Sequence, residues 1–172
     1  MEYLTPERLN ELSISNIYNL PFTLNCSEWL TIDNALYSIL NAPKPLVFDS
    51  TIRDRMNDLK RKKGIYMFII EPEFPLYPKI NYLVYIGRVI ESDTFFKRFY
   101  DYVKAIGAEN VRRNIQLLTN LWPEKTWVYF HELDIEDEKI IEIERELINK
   151  IVPPLNNQFY CDSAKNSRSI YN

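Results

Sequence analysis

The spacing of hydrophobic residues changes character along the chain. The first fifty residues carry helical spacing. "TPERLNEL" (5–12) predicts a short helix with Thr5 as N-cap and Pro6 at its first position. "SEWLTIDNALYSIL" (27–40) predicts a second helix, and "NAPKP" (41–45) breaks it as a candidate linker. A third helix is expected from about Ser50 to Lys63, with Gly64 as its C-terminal cap. The pattern then turns to strands. "GIYMFII" (64–70) and "YLVYIGRV" (82–89) are β-branched and aromatic, apolar on both faces, as interior strands are. The segment between them, "EPEFPLYPKIN" (71–81), holds three prolines and reads as a stiffened hairpin loop. "DTFFKRFYDYVKAI" (93–106) returns to helical spacing, with Phe95, Phe96, Phe99, Tyr102, Val103 and Ile106 on one face. A further helix is expected over 108–122, a third strand over 125–133, and a last helix stopped by Pro153 and Pro154.

That last helix holds an anomaly. Ile140, Ile141, Ile143, Leu147, Ile148, Ile151 and Val152 form its apolar stripe, and Glu144 lies within the stripe, about 40° from Ile140 on a helical wheel. Glu138, Glu142 and Glu146 lie on the opposite side. A buried, unpaired carboxylate costs several kcal/mol, so Glu144 requires a partner: a buried arginine, hydrogen-bond donors or a metal ion.

With 172 residues and 46% hydrophobic content, the chain can bury the core of one domain. No apolar run approaches the length of a membrane span, and the N-terminus has no secretory pattern. Cys26 and Cys161 lack metal-type spacing, and a cytoplasmic chain with free thiols is the plain reading. The one histidine, His131, excludes a histidine-based zinc site and is taken as structural. Net charge is −3 but unevenly spread: −4 over residues 1–51, +5 over 52–131 and −4 over 132–172. A basic centre can hold a phosphate backbone locally. The run "KRKKG" (60–64) can equally be a solvated helix end.

Two of the three glycines fall in the predicted hairpin, in Gly64-Ile65-Tyr66 and Tyr85-Ile86-Gly87. Downstream come Arg98 and Tyr102 in "RFYDY", then Glu144 in "ERELI", then "PPLN" ending at Asn156. This series resembles the GIY-YIG nuclease superfamily over residues 64–157. The long hairpin loop departs from the family, and the first 50 residues match nothing in it.

The resemblance implies a divalent-metal-dependent endonuclease acting on DNA, with RNA left open. Glu144 would be the ligand of one Mg²⁺ or Mn²⁺ ion. Tyr66 would be the general base, its ionisation favoured by Arg98 and the cation. Tyr85 would position the water, and Arg98 would grip the scissile phosphate. Tyr102, one turn past Arg98, stands where some members carry histidine. Asn156 would brace the site through hydrogen bonds, and Arg88 would be a further phosphate contact. Each residue also has a structural reading: core tyrosines, a surface arginine, a turn asparagine, and for Glu144 a buried ion pair with Arg98.

The expected architecture is α+β: a small, three-stranded, mainly antiparallel sheet flanked by helices over residues 52–157. A helical N-terminal extension (1–51) and a C-terminal tail (158–172) complete it. A nuclease of this kind would be a possible homodimer, since cutting two strands calls for two sites. The competing function is a catalytically silent nucleic-acid-binding or scaffolding module with the same fold.

Overall fold

The computed structural model describes residues 40, 43–71, 81–106, 118, 122, 124–162 and 164–165. The helices predicted over 5–12 and 27–40 lie outside these residues, save Leu40. So do most of the hairpin loop and of the helix over 108–122, of which Leu118 is present as a fully buried core residue.

The fold is α+β, with four strands among the described residues rather than the three expected. They are β1 (Lys44–Val47), β2 (Gly64–Ile70), β3 (Tyr82–Val89) and β4 (Thr126–Glu132). Their order is β1-β4-β2-β3, and every pairing is antiparallel. The extra strand occupies part of the expected linker. It is four residues long and contains Pro45, which is tolerated because β1 is an edge strand, where a missing N–H need not break a ladder. β3 was expected to be interior. It is the opposite edge, apolar on both sides because helices cover both faces of the sheet.

The helix expected over 50–63 is also corrected. That segment forms two 3₁₀ turns, Ile52–Arg55 and Asn57–Leu59, which bury Ile52, Met56 and Leu59 and leave the charged residues outward. The four-residue spacing Ile52–Met56 suggests an α-helix, but only three large side chains anchor the segment. Gly64 is therefore not a helix cap but the first residue of β2, at φ +142°.

Helix α1 (Phe95–Lys104) starts at Thr94, whose Oγ1 accepts a hydrogen bond from the Lys97 N–H at 3.1 Å. It buries Phe95, Phe99 and Tyr102 on one sheet face against Tyr66, Phe68 and Phe130. The Phe99 and Phe130 ring centres lie 4.9 Å apart, edge to face. Helix α2 (Asp137–Ile151) covers the other face, packing Ile140, Ile143, Leu147 and Ile148 on Ile65, Met67 and Ile86. Asp137 ties its start to the sheet: Oδ1 lies 2.7 Å from Lys63 Nζ, and Oδ2 accepts from the Glu91 N–H. His131 is a buried core residue of β4, as expected, and its Nδ1 donates to the Leu40 carbonyl at 2.8 Å. Among the described residues no helix is long and apolar enough to cross a membrane.

Gly64 is where β2 and β4 approach too closely for any side chain. A Cβ there would stand 2.1 Å from the His131 carbonyl oxygen, on a backbone that L-residues rarely adopt. Gly64→Ala is expected to lower unfolding stability by at least about 3 kcal/mol in urea titration.

Candidate active site

Alternation along β2 puts Tyr66 on the α1 face, between Ile65 and Met67 on the α2 face. Its neighbour across the ladder is Gly87 of β3. The phenol lies flat over that glycine: a Cβ on residue 87 would come within 2.4 Å of the ring carbon Cζ and of the hydroxyl. So placed, the Tyr66 hydroxyl meets that of Tyr102 at 2.6 Å. Tyr85 flanks them, its ring centre 6.2 Å from that of Tyr66.

Tyr66 is 2% exposed. Burial, reinforced by Tyr102 and Tyr85, pushes its phenol well above the ordinary value of 10.0, and the neighbouring Arg98 charge only partly offsets this. Arg98 acts in the expected direction, favouring the phenolate, but in the protein alone burial outweighs this one half-buried cation.

Arg98 extends from α1 into the same cleft. Its Nη2 lies 3.0 Å from Asp93 Oδ2, and its Nε is buried without a hydrogen-bond partner. Asp93 is itself fixed, since Oδ1 accepts from the Thr94 N–H at 2.9 Å. Asp93 was not among the predicted residues. Its place just before the N-cap threonine is the one signal that could have marked it.

Glu144 is 7% exposed, as its position in the apolar stripe requires. Its partner is Arg88, not Arg98. Arg88 follows Ile86 by two residues on β3, so it projects from the α2 face, where Glu144 lies. The Arg88 guanidinium stands against Oε2 and closes an ion pair over the buried acid. The Arg88 side chain is 32% exposed and has room to turn outward.

Asn156 completes the site from the segment after α2. Val152 ends the helix in the left-handed region, its N–H bonding the Ile148 carbonyl, and Pro153 and Pro154 prevent continuation. The chain then runs along the free edge of β3. The Leu155 N–H donates to Val84 O at 2.9 Å. The Asn156 side chain accepts from the Ile86 N–H at 2.9 Å and donates to the Ile86 carbonyl at 2.8 Å. An amide side chain thereby replaces a neighbouring strand.

These parts line one cleft of about 750 Å³. The cleft wraps over β3: the three tyrosines and Arg98 stand on one side of that strand, Glu144 and Arg88 on the other. All seven predicted residues border it, with Ser92, Asp93, Lys97, Gln158 and Tyr160 added. The arrangement joins permanent cations to hydroxyl groups and two acids, each acid paired with an arginine, a combination suited to an anionic, phosphate-bearing substrate.

Among the described residues no cluster of three or more His, Cys, Asp or Glu side chains is placed to hold a metal. The donor set is one carboxylate. It fits a Mg²⁺ ion that keeps most of its waters and shares substrate phosphate oxygens, not an all-protein cage. The buried Glu144 carboxylate is the group that would take such an ion, and Arg88, its ion-pair partner, is the group that would have to leave it. Comparison of the chain with known protein families, curated proteins and solved structures finds no match.

Two predictions follow from this geometry. An unfolded tyrosine ionises near pH 10 while native Tyr66 stays protonated, so stability is lost as pH rises above 10. Unfolding free energy measured across that range is expected to fall more steeply for the wild type than for Tyr66→Phe. Asn156→Ala leaves both polar groups of Ile86 bare and is expected to cost about 2–4 kcal/mol, read from the denaturation midpoint.

Proposed function

We propose that the protein is a divalent-metal-dependent endonuclease of the GIY-YIG type, hydrolysing phosphodiester bonds in DNA. The observation that carries this reading is the convergence of Tyr66, Tyr85, Arg98, Tyr102 and Glu144 on one open cleft, around a bare Gly87 that gives the Tyr66 phenol its place.

In this reading Arg98 grips the scissile phosphate. Asp93 presents the guanidinium by one edge, and the unpartnered Nε marks hydrogen-bonding capacity in reserve. Arg88, turned from Glu144 toward a second phosphate oxygen, frees the carboxylate. Glu144 would then hold Mg²⁺ or Mn²⁺. When bound, that ion would neutralise charge on the phosphate and leaving oxygen, and would favour the phenolate of the nearest tyrosine. Tyr66 is the candidate base, with Tyr102 as its hydrogen-bond partner and Tyr85 beside the attacking water. Asn156 keeps the edge of β3 in place and touches no substrate.

The Arg88–Glu144 pair favours a second reading: a silent nucleic-acid-binding or scaffolding module in which the acid is satisfied within the protein.

Plasmid nicking separates the two. Under the nuclease reading, wild type nicks supercoiled DNA with Mg²⁺ or Mn²⁺ and not with EDTA. Glu144→Ala abolishes nicking while circular dichroism stays native, because the freed Arg88 can reach water. Arg98→Ala lowers the rate by about a hundred- to a thousandfold. Pure wild type that cuts neither DNA nor RNA with either metal supports the silent module.

A further inference from the structure

The basic run at 60–63 divides in the structure. Lys62 pairs with Glu132, and Lys63 Nζ lies 2.7 Å from Asp137, so half of the run is neutralised. Lys60 turns the other way, its Nζ 5.3 Å from the centre of the Phe96 ring. Two more cations meet it there. The Arg53 guanidinium stacks 4.2 Å from Phe96 and 4.3 Å from Tyr100, and Lys104 Nζ sits 4.0 Å from Tyr100. Among the described residues none of Arg53, Lys60 and Lys104 makes a salt bridge, whereas Lys44 and Arg55 close by are paired with Asp58 and Asp49. Asp54 and Asp101 are neighbours in sequence, yet neither forms an ion pair with the three. The Arg53 Nε is also buried without a hydrogen-bond partner.

Aromatic rings position a cation but do not cancel its charge. Repelling cations gathered on two rings therefore form a surface that keeps its positive potential. Its location connects it to the cleft. Lys97, Tyr100 and Lys104 recur at i, i+3 and i+7 along the outer face of α1, and Lys97 lines the cleft beside Arg98. From Lys97 to Lys104 the helix rises roughly 10.5 Å, which matches the axial rise of about three nucleotides of one strand.

We propose that this face, Arg53, Lys60, Lys97, Tyr100 and Lys104, is the track on which the phosphate backbone flanking the scissile bond lies. The inference rests on the nucleic-acid reading above and adds the direction in which the strand leaves the cleft. The phosphates supply the counter-charge that the protein withholds from these cations and provides for their neighbours.

The test is fluorescence anisotropy of a short labelled DNA duplex in EDTA across a series of salt concentrations. EDTA removes metal and cleavage from the readout. Lys60→Gln combined with Lys104→Gln, both exposed and needing no repacking, is expected to weaken binding about tenfold at moderate salt. It should also lower the slope of log affinity against log salt by about two. Lys44→Gln combined with Lys62→Gln makes the same change in net charge at salt-bridged positions and is expected to leave the slope nearly unchanged. Adding Arg53→Gln to the first pair deepens the loss. If wild type binds but the Lys60/Lys104 variant keeps its affinity and slope, or both double variants lose equally, the track is wrong and the nuclease reading stands. If wild type binds neither DNA nor RNA, both fall together.

Discussion

One contact organises the cleft: an aromatic ring resting on a bare peptide unit. The Tyr66 phenol lies across β3 at Gly87, where even a methyl group would collide with it. Everything on that side follows. The ring projects far enough to meet Tyr102 and is wedged edge-on against Phe95 and Phe99. Helix α1 is thereby fixed at the distance that brings Arg98 to the same space. Gly64, two residues before Tyr66 on β2, does the equivalent work for the strands by letting β2 close on β4.

The second organising fact is electrostatic symmetry across the edge strand. Each side of β3 holds one arginine and one acid: Arg98 with Asp93, and Arg88 with Glu144. On the Arg98 side the buried Nε is left without a hydrogen-bond partner, while on the other Arg88 closes on Oε2 of Glu144. A site built only for stability would pair that Nε, since an unmatched buried group costs about 1–3 kcal/mol. The protein thus holds two ion pairs on opposite sides of one strand, both bordering the same cleft.

Much of this was legible from residue patterns, and the failures have identifiable causes. Strands β2, β3 and β4 and helix α2 are long and strongly patterned, and each lies within two residues of its expected bounds, apart from the start of α2, for which no residue was named. Glu144 stood out because a 3.6-residue period leaves no other place for it. Strand β1 was hidden by its four-residue length and by Pro45, which reads as a breaker unless the strand is known to be an edge. The 3₁₀ turns carry helical spacing without enough apolar anchors. The mate of Glu144 was open to strand parity, which sends Ile86 and Arg88 to the same face, but the site pattern drew attention to Arg98 instead. The ionisation of Tyr66 depends on how completely the rings around it exclude water, a property of packing that no spacing encodes.

The Asn156 amide has a meaning beyond the site. Among the described residues strand β3 ends the sheet, and its outward N–H and C=O groups are the places where a stranger's backbone would attach. Residues 155 and 156 occupy them, one through the main chain and one through a side chain. The seal is local and brief, made by a segment that two prolines keep from becoming a strand itself. It guards against runaway sheet growth without adding a fifth strand that would roof over the groove. Edge protection and access to the cleft are reconciled in two adjacent residues.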